Sequence, residues 1–325
     1  MSRIFDALRR SESEQSGDNT ELLPESQELL RRTERRIASR WEAKAPAHEN
    51  EAENGIDGYQ LSGPESARVD GAVEPVSDGS WTAEERLAFL NKIQSQPISL
   101  EPGSRLVCLT DRESPTAEAM RLLTVRLRDL RRIKPLKKVL VTSTIPREGK
   151  STISANLACA LARGNEEKTL LIEGDVRLPT LRQMFGIEVV PGISELIEDG
   201  RDASECVHYL DEAGVWVLPT GRIPRNPLEV LQSERLPEVM DHLAECFDWI
   251  VIDSPPVLPL ADTSIWMRLV DGILLVARQG TTEKQQLQRG LEALVPQKVI
   301  GALLNCSVAS AYSDYYYRTP SSSER

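Results

Sequence analysis

Apolar residues fall into two alternating patterns along the chain. Six short, nearly unbroken runs read as strands buried on both faces: Lys138–Ser143, Thr169–Glu173, Val215–Leu218, Asp248–Asp253, Gly272–Ala277 and Lys298–Asn305. A seventh run, Arg105-Leu106-Val107-Cys108-Leu109, reads as a short strand where order begins. Between the runs lie stretches with a 3.6-residue apolar period. These are Trp81–Ile93, Thr116–Leu127, the segment after Gly149 (Ile153, Leu157, Ala158, Leu161), Pro227–Cys246 and Thr282–Leu294. Strands alternating with helices predict an α/β fold built on a mostly parallel sheet with helices on both faces.

The pattern weakens toward the N-terminus. Residues 2–10 offer about two amphipathic turns (Ile4, Phe5, Leu8), which either dock on a partner, on membrane or on the chain's own domain, or fray. Leu29–Lys44 is Arg- and Glu-rich and suits a solvated helix, and residues 45–80 collect Pro, Gly, Ser, Glu and Asp with few large apolar side chains. Such text cannot offset the entropy of ordering and reads as a linker. The expected organisation is a flexible, largely disordered arm over 1–95, one domain over 96–310, and a tail over 311–325.

In parallel sheets of this kind ligands sit at the carboxyl ends of the strands, and three of those ends carry chemistry. The first strand runs into Thr144-Ile145-Pro146-Arg147-Glu148-Gly149-Lys150-Ser151-Thr152, which opens a helix. Backbone N–H groups at a helix start face an anion, and Gly149 lets the backbone approach phosphate oxygens. In such a loop Lys150 reaches the β/γ-phosphates and Ser151 ligates Mg²⁺. Thr144 stands where the usual G-x-x-x-x-G-K-[ST] pattern has its first glycine. The second strand ends in Glu173-Gly174-Asp175-Val176-Arg177, and another ends in Asp253-Ser254-Pro255-Pro256.

Charge and cysteine usage narrow the function classes. A net charge of −11 with no basic stripe argues against general nucleic-acid binding. The five cysteines are far apart without a C-x-x-C pair, which suits small buried residues in a reducing compartment. No apolar run reaches the roughly 18–20 residues that cross a bilayer. The expectation is a cytoplasmic protein recruited to the inner face of the membrane by a partner.

With these motifs the chain resembles the bacterial tyrosine kinases, P-loop NTPase-type autokinases of capsule and exopolysaccharide systems. Their phosphate loop reads roughly S-x-x-P-x-x-G-K-[ST], matched by Ser143, Pro146, Gly149, Lys150 and Ser151. Their D-x-D-x-R motif is matched by Glu173, Asp175 and Arg177, with Glu in place of the first Asp, and their D-x-x-P motif by Asp253 and Pro256. The likeness covers about residues 105–310 and includes Asn226–Glu229 and Leu303–Asn305.

The resemblance implies ATP and Mg²⁺ as cofactors. Lys150 would stabilise the transferred phosphoryl group; Ser151, Asp175 and Asp253 would hold the metal; Glu173 would be the base for the tyrosine hydroxyl; Asn305 would sit on the adenine side. Glu148 and Thr152 belong to the nucleotide-binding loop, and Arg177 either stabilises phosphate charge or forms a structural ion pair. The acceptors would be Tyr312, Tyr315, Tyr316 and Tyr317 in the tail. The family's E-x-x-R-x-x-R ring-forming helix is matched at Glu118 and Arg121 but has Thr124 in place of the second Arg, so a ring of subunits here would be less stable or built otherwise. A homo-oligomer and a separate membrane-bound polysaccharide chain-length or export protein as activator are the implied partners.

Two other readings remain at this point. One is a regulatory ATPase switch of the partitioning or division-site type, which usually carries a signature Lys near the start of the loop, where this chain has Ile145. The other is a nucleotide-binding scaffold with little turnover.

Overall fold

The computed structural model describes residues 81–164, 167–258 and 261–306. The expected N-terminal helices, the linker and the tyrosine tail lie outside these residues. The elements, in chain order, are α1 (Ala83–Lys92), β1 (Gln94–Gln96), α2 (Val107–Thr110), α3 (Pro115–Ile133), β2 (Lys138–Ser143), α4 (Lys150–Gly164), β3 (Thr169–Glu173), α5 (Leu181–Phe185), α6 (Ile193–Glu198), α7 (Ala203–Cys206), β4 (His208–Leu210), β5 (Val215–Leu218), α8 (Pro227–Gln232), α9 (Arg235–Cys246), β6 (Trp249–Asp253), α10 (Asp262–Leu269), β7 (Gly272–Arg278), α11 (Lys284–Ala293) and β8 (Val299–Asn305).

The strands form one sheet in the order β1-β4-β5-β3-β6-β2-β7-β8. Only the β4–β5 pair is antiparallel. Side chains of a strand alternate between the two faces, and this chain fills both. Leu140, Leu170, Ile172, Ile250, Ile252, Ile273 and Leu275 pack with Leu236, Met240 and Leu243 of α9 and Trp266 of α10. Their neighbours Val139, Val141, Leu171, Val251, Leu274 and Val276 pack on the other face with Met120, Leu123 and Leu127 of α3 and Leu157 and Leu161 of α4. This two-sided burial is why the central strands are continuous apolar runs.

The helix α3 starts where Ser114 accepts a hydrogen bond from the Ala117 amide (3.2 Å) and Pro115 supplies a first residue that needs no amide partner. Its Glu118–Arg121 ion pair is half-exposed, whereas Thr124 is 3% exposed and its hydroxyl accepts from Arg128 Nη1 (3.3 Å). The position at which the family's helix has its second Arg therefore faces the protein interior here.

Two of the expected elements differ in form. The run Arg105–Leu109 does not join the sheet; residues 107–110 form α2. The cause is Asn156 of α4, whose Oδ1 accepts from the Cys108 amide (3.0 Å) and whose Nδ2 donates to the Arg105 carbonyl (2.9 Å). Those bonds satisfy the backbone without a strand neighbour. The expected helix Pro227–Cys246 is two helices, α8 and α9, because Ser233 adopts an extended ψ of 135° between them. The helix expected over Trp81–Ile93 forms as α1 and packs on the folded domain: Phe89 is 6% exposed, Trp81 packs edge-on against it, and the Trp81 amide donates to Glu245 of α9 (2.6 Å).

Cys108, Cys159, Cys206 and Cys246 are buried free thiols as expected, and Cys306 is exposed. No helix among the described residues is long and apolar enough to cross a membrane.

Candidate active site

The neighbouring strands β3, β6 and β2 end side by side. In their register Val141 pairs with Asp253, and Asp253 pairs with Glu173. The loop after β2 therefore faces carboxylates delivered by β6, the strand beside it, and by β3, the next strand in the sheet.

The loop is shaped from behind. Arg147 (φ 69°) and Gly149 (φ 92°) take left-handed backbone conformations. The Glu148 side chain is 0% exposed; Oε2 accepts from the Ile145 amide (2.9 Å) and Oε1 from the Thr282 hydroxyl. Thr282 Oγ1 in turn accepts from the Arg278 amide (2.8 Å). Asn305 Nδ2 donates to the Glu148 carbonyl (2.9 Å), and a Cβ at position 149 would stand 2.1 Å from that nitrogen. Thr144 is accommodated in place of glycine because its side chain packs against Gly290 of α11, where a Cβ would meet Thr144 Oγ1 at 2.9 Å. The departure from the usual loop pattern is thus met by a glycine on the opposing helix.

In front of the loop, Lys150 Nζ lies 3.0 Å from Asp175 Oδ2 and 3.5 Å from Ser151 Oγ. Burial by itself lowers the ammonium's pKa, but Asp253 and Asp175 outweigh it and the net movement is upward, with Glu173 adding to it. Asp253 is 1% exposed; Oδ1 accepts from Ser154 Oγ (3.2 Å), and Oδ2 is buried without a hydrogen-bond partner. Burial pushes this carboxyl up to about 6, against the pull of Lys150 and the Ser151 hydroxyl.

Asp175 Oδ1 accepts from the Leu178 amide (3.2 Å). Arg177 is engaged on both sides of its guanidinium fork by Asp262, at 2.6 and 3.0 Å, so the structural ion pair is the alternative its geometry realises. The Glu173 carboxylate is 1% exposed and accepts from three backbone amides, Thr180 (2.5 Å), Leu181 (2.7 Å) and Thr220 (2.9 Å). The acceptor candidates Tyr312, Tyr315, Tyr316 and Tyr317 lie outside the described residues.

Magnesium fits this donor set. Among the described residues no three His, Cys, Asp or Glu side chains are grouped to hold a metal unaided. Mg²⁺ takes one or two carboxylates and completes its shell with water and substrate phosphates. The partnerless Asp253 Oδ2 beside the Ser151 hydroxyl offers such an oxygen.

Sequence reading missed four residues. Ser154 stands one helical turn after Lys150, a spacing that places both on one face of α4 and was legible. Asp262, Thr282 and Thr220 reach their partners across 85, 134 and 47 residues, and nothing local marks them.

No family model matches the chain. Over 224 residues it is 34% identical to the tyrosine-protein kinase YwqD of Bacillus subtilis (strain 168), a match covering 67% of this chain and 94% of the relative. The chain belongs to the bacterial tyrosine-kinase family. The putative tyrosine-protein kinase CapB of Staphylococcus aureus is 33% identical over 184 residues, 56% of this chain and 80% of that one. The kinase domain of the Escherichia coli tyrosine kinase ETK has the same fold, with a TM-score of 0.61 at 24% identity, covering 66% of this chain and 83% of that one. These tyrosine-kinase relatives favour the kinase reading over the ATPase switch.

Proposed function

We propose that this tyrosine kinase transfers the γ-phosphoryl group of ATP to its own tail tyrosines, Tyr312, Tyr315, Tyr316 and Tyr317, and thereby regulates capsule or exopolysaccharide synthesis or export. The observation that carries this reading is the cluster at the loop: Lys150 on Asp175, with the partnerless oxygen of Asp253 beside Ser151.

The loop Pro146–Thr152 and the start of α4 cradle the phosphates, with Asn305 bracing the loop at Gly149. Lys150 exchanges Asp175 for phosphoryl oxygens and neutralises charge as the bond to the β-phosphate oxygen breaks, releasing ADP, and the bond to the tyrosyl oxygen forms, with the hydroxyl proton passing to solvent water. Asp253, Ser151 and Asp175 are the residues that would hold Mg²⁺. Bound there, the ion would supply positive charge to offset that of the transferring phosphoryl group. Because the transition state is loose, positioning and charge stabilisation provide most of the acceleration. Arg177 acts through Asp262, fastening the loop after β3 to α10. A separate membrane-bound export protein as activator, recruitment to the inner face of the membrane, and assembly into a homo-oligomer belong to the same proposal and rest on the family resemblance.

The test is incubation of the full chain with Mg-ATP, with and without a candidate membrane activator, followed by phosphosite mapping of residues 311–325. Phosphotyrosine that disappears in Lys150→Met and in the variant with the four tyrosines changed to Phe is the expected result. Phosphate release without tail labelling, with an activator of proven function present, overturns it in favour of the ATPase switch.

A further inference from the structure

The carboxylate expected to serve as base is engaged elsewhere. Glu173 ends β3, one strand from Asp253, and is 1% exposed. Its Oε1 accepts from the Thr180 and Leu181 amides at the start of α5, and its Oε2 from the Thr220 amide just beyond β5. An ionised carboxylate has about four acceptor positions, and three are occupied here. Amides at a helix start have no partner within the helix, so these bonds meet a need that would otherwise go unmet in the interior. The hydroxyls of Thr180 and Thr220 are buried and without partners, so both residues meet Glu173 through the backbone alone.

We propose that Glu173 is a positioning residue, and that it holds the loop carrying Asp175 and Arg177 against the loop after β5 instead of accepting the tyrosine proton. The chain from 174 to 181 leaves β3 and returns to the same side chain. Asp175, which meets Lys150 at 3.0 Å, lies inside that closed span. Aspartate is about one methylene shorter, and from the same backbone position it cannot reach amides in two loops at once. Glu is thus the residue this chain's loop geometry requires. The charge of Glu173 still acts on Lys150, but its oxygens serve the fold.

The proposal rests on the kinase reading, and its test uses the rank order of two variants of the full chain. A base keeps function as Asp and loses it as Gln, by about 10²–10⁴-fold. A clamp tolerates Gln better than Asp, because Gln Oε1 keeps the paired Thr180 and Leu181 amides and only the Thr220 amide loses its acceptor to the Gln Nε2, while Asp reaches neither loop fully. The expected result is tail phosphorylation within about tenfold of the unsubstituted rate in Glu173→Gln, with a fall of about thirtyfold or more in Glu173→Asp, by the number of bonds each retains.

Hydrogen exchange at the Thr180, Leu181 and Thr220 amides is measured on the same samples. Faster exchange at these three positions in Glu173→Asp supports the clamp, even if both variants are inactive. An active Glu173→Asp beside an inactive Glu173→Gln, or an inactive Glu173→Gln whose three amides exchange as in the unsubstituted chain, overturns it. If the unsubstituted chain never labels its tail, the kinase reading fails, while the exchange rates alone still decide whether Glu173 clamps the two loops.

Discussion

Glu148 and Asp253 are both buried carboxylates at the same edge of the sheet, and they differ in what meets their oxygens. At Glu148 both oxygens are engaged, by the Ile145 amide and the Thr282 hydroxyl. At Asp253 one oxygen accepts from Ser154 and the other is left bare. A buried carboxylate whose acceptors are filled by its own chain supports shape, whereas one with an oxygen held in reserve awaits something from outside. The back of the loop belongs to the first kind and the front to the second.

The largest effect expected from breaking that contrast is at Asp253. Asp253→Asn removes a charge that burial disfavours, so tail phosphorylation should fall at least a hundredfold while thermal stability rises. A unit of raised pKa corresponds to about 1.4 kcal/mol, so a carboxyl pushed from the ordinary aspartate range up to about 6 gives a relief on the order of 3 kcal/mol. Each kcal/mol shifts Tm by about 2–4 °C for a domain of about 150–250 residues. Calorimetry beside a phosphorylation assay checks both signs, and a lowered Tm would break the comparison.

Glu148→Ala should do the opposite to stability. It leaves the Ile145 amide without an acceptor, at about 1–3 kcal/mol; Tm should fall, and KM for ATP should rise about tenfold as the loop loosens. Thr282→Val is a milder version. It deletes the hydroxyl that joins Glu148 to the Arg278 amide, and steady-state kinetics should show KM for ATP raised two- to fivefold with kcat almost unchanged, on the order of 0.5–1 kcal/mol.

The smallest effect is the response to pH. Because the Asp253 carboxyl is pushed up to about 6, a proton competes with the cation, and Mg-ATP affinity measured by titration should weaken as pH falls through about 6. The stability of the free protein moves the other way. The contribution from this carboxyl is fully present below the ordinary aspartate range and is lost as pH rises through about 6. Both responses should vanish in Asp253→Asn.

The centre of the fold was legible because two-sided burial leaves an unmistakable trace, as in Leu170-Leu171-Ile172 and Ile250-Val251-Ile252. The loop was legible because phosphate chemistry demands particular residue types. The edge strand β1 was not, because Gln94-Ser95-Gln96 is wholly polar and carries no apolar trace of its pairing with β4. At α2 an apolar run like those of the strands turned helical, since Asn156 supplied its backbone partners. Thr124 looked from its motif like a surface contact that had been lost. Its place against Arg128 on the inner side of α3 is a tertiary fact with no local signature. Glu173 looked like a conservative change of one acid for another, and the reach of its side chain became informative only beside the amides it meets.

The pairing of Val141 with Asp253 and of Asp253 with Glu173 ties activity to correct folding. A strand displaced by one residue presents its side chains to the opposite face. Such a slip of β6 would exchange Ile250 and Ile252 with Val251 between the two cores and move Asp253 out of line with Lys150. The errors that would disarm the enzyme would also disrupt its interior, so a misregistered chain would be poorly folded before it could be a wrongly active kinase.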